Sequence, residues 1–293
     1  MEHDVLGDPE RAVGKPAAID SSDVNSVSFC SYKADAAIDS IRLSKAGVVF
    51  CSNELSFEKN DYDDKTLVLV EDPKLAFVRI MQHFFDHKRP HGVHPSAIIE
   101  NGAVIGHDVY IGPNTYIGKC KVEEDTIIYG NCYLYPDVMV GKRVLVNAGA
   151  IIGREGIGHV RDVGGKWQRF PHIGGVIIKD GAEIGGNSCI DRGTLGNTVI
   201  GEGTIVNNLC HIGHNVVVGK DCLIGVGSIL CGGSKVGNRC WLGPGSIVRD
   251  GVTIGEKAVI GMGSVVTKNV PDNCVVYGIP ARIIKKSHDS NEF

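Results

Sequence analysis

Residues 200–217 read Ile-Gly-Glu-Gly-Thr-Ile, Val-Asn-Asn-Leu-Cys-His and Ile-Gly-His-Asn-Val-Val, three sixes each opened by an aliphatic residue. Counting on in sixes gives Ile200, Val206, Ile212, Val218, Ile224, Leu230, Val236, Leu242, Val248, Ile254, Ile260 and Val266 without a slip. Ile, Leu and Val are roughly a quarter of the chain, so chance would give such a run about once in ten million tries. Eight of the twelve are followed by Gly. The residue four places on is always small or β-branched, as at Thr204, Cys210, Val216, Cys222 and Ser228.

A period of six fits neither a lone helix nor an alternating strand. It fits a solenoid of short strands on flat faces with a corner every sixth residue. Three faces make one coil of eighteen residues, and stacked coils pair strand on strand at about 4.8 Å. The aliphatic residue points inward, the small residue fits where the walls converge, and the Gly or Asn after the aliphatic residue is expected to permit the tight corner.

The rest of the chain sets bounds. It has 293 residues and a net charge of −4 with scattered Lys and Arg, which argues against a nucleic-acid binder. No eighteen-residue apolar run exists, so no transmembrane helix is expected. Ten Cys occur without a C-x-x-C pair. Cys132, Cys210, Cys222 and Cys240 fall at the small fourth step and read as core residues in a reducing compartment. The acidic start, Met1–Asp20, reads as neither a signal nor a transit peptide. The expectation is a soluble intracellular protein, cytoplasmic if bacterial and mitochondrial if eukaryotic.

Residues 1–22 read as a flexible tail. Residues 24–90 read as a small α/β domain of the nucleotide-binding kind: strands at Val27–Tyr32, Ala46–Cys51 and Thr66–Val70, then a helix over Lys74–His87 that Pro90 stops. The solenoid spans residues 93–271. Its hexads open at Val93, lose one residue between Ile117 and Val122, and run to Ile152. A Gly-rich break, 153–175, is expected to stand out from the prism as a functional loop. Three hexads and a four-residue insertion lead into the long run, giving eight to nine coils. Residues 272–293 read as a cap and tail.

The hexads resemble the hexapeptide-repeat acyltransferases, which implies a left-handed parallel β-helix and a homotrimer. Asp191-Arg192-Gly193, the loop with Gly156-Ile157-Gly158 and Gly165-Lys166-Trp167, and the run Asn207-Asn208-Leu209-Cys210-His211-Ile212-Gly213-His214-Asn215 narrow this. With the preceding α/β domain, they resemble the UDP-3-O-(3-hydroxyacyl)glucosamine N-acyltransferases of lipid A biosynthesis. The resemblance implies transfer of a 3-hydroxyacyl chain from acyl carrier protein, where phosphopantetheine carries it, to the 2-amine of a UDP-sugar lipid. It needs no cofactor and no metal. It makes His214 the catalytic base and the Gly232 N–H the oxyanion donor. The family clamps uracil between a Phe and a Tyr six residues on. Phe29 matches the Phe, but the sixth residue on is Asp35, and the nearby aromatic is Tyr32. The family's further His near the donor falls here at Gly251, and its C-terminal helices have no counterpart.

The chemistry agrees. An amine attacking a thioester must lose a proton near neutral pH, which suits an imidazole. Eighteen residues beyond His214 is Gly232, so the two are expected on successive rungs, and a Gly there admits substrate to the backbone. Asn207, Asn208 and Asn215 are candidate polar contacts to the sugar or to His214. A His at such a corner is by default only a solvated residue; the surrounding motif favours the catalytic reading. His211, Phe29 and the loop all have bland readings as structural residues. Three other functions compete. A CoA-dependent sugar N-acetyltransferase shares the Tyr277-Gly278-Ile279-Pro280-Ala281-Arg282 cap but does not need the α/β domain. A zinc enzyme needs three converging His, and only His211 and His214 are close. A non-catalytic trimeric scaffold does not need His214 and Gly232.

Overall fold

A computed structural model describes residues 4–85 and 90–286. The chain divides into two compact units, Met1–Arg89 and Pro90–Phe293.

The first unit is a five-stranded sheet with two helices. Strands Ser26–Phe29, Val48–Ser52 and Thr66–Val70 run parallel. Helix Ala34–Leu43, which the sequence reading passes over, buries Ala37 and Ile41 completely against one sheet face. Helix Pro73–Phe84 begins with Pro at its first turn, where a missing N–H costs nothing, and the Asp72 carboxylate accepts from Leu75 N at 2.9 Å. The expected helix end at His87 lies outside the described residues. Residues 1–22, expected as a tail, are structured from Asp4 on. Asp4–Leu6 pairs antiparallel with Thr66–Val70, and Lys15–Pro16 pairs parallel with Ser26–Phe29. Strands of two or three residues, one ending in Pro, leave too short a pattern to detect.

The second unit is a parallel β-solenoid. Its outer faces are sheets of nine, eight and eleven strands, in which all but the last strand bond to the one a coil away. Register follows the hexads: Ile190 pairs with Ile212, Ile212 with Leu230, and Leu230 with Val248. These aliphatic positions are fully buried and form one continuous core. The fourth-step residues do more than fill space, because they donate to corner carbonyls of the next coil. Thr204 Oγ1 reaches Gly219 O at 2.7 Å, Cys222 Sγ reaches Gly237 O at 3.0 Å, and Cys240 Sγ reaches Gly255 O at 3.0 Å. This satisfies backbone acceptors that burial would otherwise orphan.

The corner chemistry differs from expectation. At the regular corners the left-handed residue comes third after the aliphatic, not first: Asn131, Asn187, Asn215 and Asp221 all have φ between 53° and 59°. The first-step Gly is needed for proximity instead. A Cβ on Gly213 would lie 2.9 Å from Gly232 N, and one on Gly201 would lie 2.1 Å from Gly219 O.

Each irregularity of the repeat falls on one edge of the prism, between the nine- and eight-stranded sheets. The lost residue lies between Tyr116–Ile117 and Lys121–Val122, the long break between Ile151–Arg154 and Val176–Ile178, and the insertion between Cys189–Asp191 and Thr198–Ile200. His214 stands on the same edge, between His211–Ile212 and Val217–Val218. The break at 153–175 contains an antiparallel hairpin, His159–Arg161 with Trp167–Arg169. At the far end, Cys274–Gly278 pairs parallel with Val259–Ile260 and antiparallel with Ala281–Lys286, closing the sheet with a hairpin. Residues 287–293 of the expected tail lie outside the described residues.

Candidate active site

The edge where His214 stands gathers most of the ionisable groups of interest. His214 follows Gly213 at the corner, and its ring lies over the next rung. A Cβ built on Gly232 would come within 2.6 Å of both Cε1 and Nε2 of His214. Only glycine leaves room for the ring there. Gly232 N–H has no acceptor among the described residues, whereas its neighbours Cys231 N and Gly233 N bond Val248 O and His214 O at 2.9 and 2.8 Å.

Asn215 decides which imidazole nitrogen carries the proton. Its Oδ1 accepts from Thr194 N at 3.0 Å and from Thr194 Oγ1 at 2.7 Å, so that atom is an acceptor. His214 Nδ1 lies 3.1 Å from the same oxygen. Nδ1 is therefore the N–H, and Nε2 keeps the lone pair, on the side of Gly232. The segment between the strands Cys189–Asp191 and Thr198–Ile200 supplies Thr194 and so fixes the tautomer.

The long break covers the site. Gly156 sits between two imidazoles: a Cβ there would lie 3.0 Å from His172 Nε2 and 3.2 Å from His214 Cβ. His172 is 2% exposed, with its ring centroid 5.0 Å from that of His214. His172 Nδ1 lies 2.8 Å from Phe170 O, and its Nε2 is buried without a partner. Arg192 fastens the base of the break, donating through Nε to Gly153 O at 2.7 Å and through Nη2 to Pro136 O. Asp191 beside it is 3% exposed. Arg154 Nη1 is 3.6 Å from its Oδ1, and His211 Nε2 is 3.7 Å from its Oδ2. Burial pushes this carboxyl above the usual carboxylate range, while His211, Arg154, His214 and His172 act against that rise.

The other expected contacts lie elsewhere. Asn207 and Asn208 occupy the preceding corner, across the strand His211–Ile212 from His214. Their side-chain oxygens are engaged structurally, Asn207 Oδ1 by Asn208 N and Asn208 Oδ1 by Gly186 N, both at 2.7 Å. Phe29 and Tyr32 belong to the first unit. Phe29 packs on Phe77 with centroids 4.9 Å apart, and Tyr32 is 57% exposed. Asp191 and His172 were missing from the sequence-based site. Asp191 is detectable as the last residue of the strand one coil behind His211. His172 lies in aperiodic sequence and gives no signal. Among the described residues no cluster of His, Cys, Asp or Glu could hold a metal ion. No helix among them is long and apolar enough to cross a membrane.

Comparison with known proteins places this geometry. The model of the bacterial transferase hexapeptide (six repeats) matches residues 233–268, and that of the hexapeptide repeat of succinyl-transferase matches 215–240. A UDP-3-O-acylglucosamine N-acyltransferase of Pseudomonas syringae pv. tomato is 40% identical over 52% of this chain and 49% of its own length. One from Francisella tularensis subsp. holarctica is 33% identical over 62% and 58% respectively. The chain thus spans about half the length of the curated relatives it matches. A UDP-N-acetylglucosamine acyltransferase structure from Campylobacter jejuni superposes with a TM-score of 0.61 at 27% identity, covering 67% of this chain and 75% of that one. A UDP-N-acetylglucosamine acyltransferase structure from Arabidopsis, at 23% identity and a TM-score of 0.56 over 68% and 75% of the two chains, shares the fold. The chain carries hexapeptide repeats and is similar over part of its length to UDP-3-O-acylglucosamine N-acyltransferases.

Proposed function

We propose that this chain is an N-acyltransferase that moves a 3-hydroxyacyl group from acyl carrier protein to the 2-amine of UDP-3-O-(3-hydroxyacyl)glucosamine. The observation that carries the reading is the imidazole of His214, held by Asn215 with Nε2 free and seated against Gly232. That is the arrangement of a general base beside an oxyanion donor. The amine attacks the thioester carbonyl as its proton passes to His214 Nε2. Gly232 N–H receives the developing oxyanion. The C–S bond then breaks and leaves an amide and a free thiol. No cofactor is required, since the acyl group arrives on the carrier's phosphopantetheine. Sequence homology to the named N-acyltransferases supports the substrate class. A homotrimer, with the acyl groove between subunits, is part of the same reading. Phe29 and Tyr32 are the proposed uracil contacts, Phe29 through a face not already packed on Phe77.

The experiment is acyl transfer with purified protein, offering 3-hydroxyacyl carrier protein with UDP-3-O-acylglucosamine, and acetyl-CoA with a UDP-amino sugar as the rival pair. Turnover with the first pair, abolished in His214→Ala, is expected. Turnover with only the second would assign a CoA-dependent acetyltransferase, and silence with both would favour a scaffold.

A further inference from the structure

The acyltransferase reading leaves Asp191 and His211 without a task. Asp191 is a buried carboxyl whose Oδ1 has no hydrogen-bond partner. Burying a carboxyl without full hydrogen bonding is costly, and a plain structural role would be met as well by an amide. Its other oxygen faces His211. The groups around the carboxyl are Arg154 and His172 of the break, Cys189 on its own strand, and His211 and His214 on the next coil.

His211 lies on the same rung as His214, three residues before it. Ile212 points into the core, so His211 points out of the prism, between Cys189 and Ile229 of the flanking coils. Its side chain is 42% exposed. With Nε2 turned toward Asp191, the ring's Nδ1 makes no hydrogen bond among the described residues. The edge thus holds two imidazoles with separate supports: His214 on the amide of Asn215, and His211 on the carboxyl of Asp191.

The reaction moves two protons. One leaves the attacking nitrogen, and one must reach the departing sulfur. His214 as a base accounts for the first. We propose that His211 is a second catalytic residue, the general acid that protonates the leaving sulfur, with Asp191 as its positioning carboxyl. This assignment rests on the acyltransferase reading. As the tetrahedral intermediate collapses, the carbonyl re-forms and the C–S electron pair goes to sulfur. Sulfur takes the Nδ1 proton of the His211 imidazolium. The neutral imidazole keeps its Nε2 proton directed at Asp191. His211 then regains a proton, and His214 releases one, through solvent.

Leaving-group dependence tests this in the full chain. Two 3-hydroxyacyl donors are compared: a pantetheine alkyl thioester and an aryl thioester of 5-thio-2-nitrobenzoate, whose sulfur departs as a stable thiolate without a proton. With the alkyl donor, His211→Gln should lower kcat by about 10²-fold, the low end for general acid catalysis. With the aryl donor its loss should be at least ten times smaller. Asp191→Asn should follow the same pattern with smaller losses. Activity on the aryl donor doubles as the folding control. Equal losses on both donors, or none on either, overturn the proposal. His214→Ala should lose both donors alike. A wild-type chain silent on both donors would refute the acyltransferase reading, and the role of His211 with it; that failure is distinct from a wild-type chain that works while His211→Gln shows no donor preference.

Discussion

Replacing Gly232 by Ala separates the working geometry of His214 from the stability of the prism. Gly232 is not among the positive-φ residues, so its backbone accepts alanine without strain. The added Cβ would sit 2.6 Å from Nε2 and Cε1 of His214. Ordinary carbon contacts lie at about 3.5–4.0 Å, so the ring must retreat by about 1 Å. The ring is the free end of a side chain, so it yields by rotation at a cost of about 0.5–1.5 kcal/mol. The same retreat strains the 3.1 Å contact with Asn215 and moves Nε2 off the amine. A misplacement of about 1 Å in a reacting group costs about 10²-fold in rate, or about 2.7 kcal/mol of barrier. The expected outcome is a Tm lowered by a few degrees and kcat/KM for acyl transfer lowered about a hundredfold. A folded Gly232→Ala protein with kcat/KM within about threefold of wild type would refute the reasoning, because His214 as placed here would not be the base.

Other perturbations have equally definite outcomes. Asn215→Gly keeps the left-handed corner but frees Nδ1 of His214, and should lower kcat by about 10- to 100-fold; Asn215→Asp keeps both the corner and the acceptor, and should retain most activity in the same steady-state assay. Ile224→Ala empties a fully buried core position and should cost about 2–5 kcal/mol in denaturant unfolding. Asp191→Asn should raise the Tm at pH 7–8. The folded-state pKa of the carboxyl lies above its unfolded value near 4, so stability is full below the unfolded value and is lost as pH rises through the folded one, and the amide removes the loss. Asp61 carries the opposite sign. Its carboxyl, bonded to Arg42 Nη2 at 2.6 Å, is held below the usual range by that bond and by Glu58 N. Its stabilisation is complete above the unfolded value near pH 4 and fades as pH falls further. Asp61→Asn should flatten that acid sensitivity, read as amide exchange in the strand Val48–Ser52.

What could be read from sequence follows the period. Once the hexads are counted, the pairing of Ile212 with Leu230 follows, and so does the placing of Gly232 one rung after His214, because each coil of the unbroken run between them spends eighteen residues. The count fails where the period fails. His172 reaches His214 through a break with no repeat, and its placement depends on Arg192 fastening the base and on Gly156 leaving space for both rings. Thr194 is equally hidden, since an insertion read around Gly196–Val199 gives no sign that a residue just before it will bond Asn215. Asn207 and Asn208 illustrate a different failure. Polar residues at a corner look available for substrate, but at this corner the backbone N–H groups of Asn208 and Gly186 need acceptors, and local demand takes the side chains first. In the first unit, the continuous apolar run Thr66–Val70 is readable, whereas Asp4–Leu6 gains its strand only by pairing with residues more than sixty positions away.

Two edges of the prism keep strict time and the third does not. The five-residue step, the long break and the short insertion all interrupt the same edge, yet the strands beyond each of them resume register with their neighbours. Length changes on that edge are therefore silent to the core. A lineage can lengthen, shorten or exchange the segments there without a compensating change elsewhere, and changes in the long break or the insertion segment land beside His214. The same property makes the edge a grafting point. A foreign loop spliced between Arg154 and Val176 would inherit an ordered anchor on both sides. The scaffold would pass its fold on unchanged while its chemistry drifted.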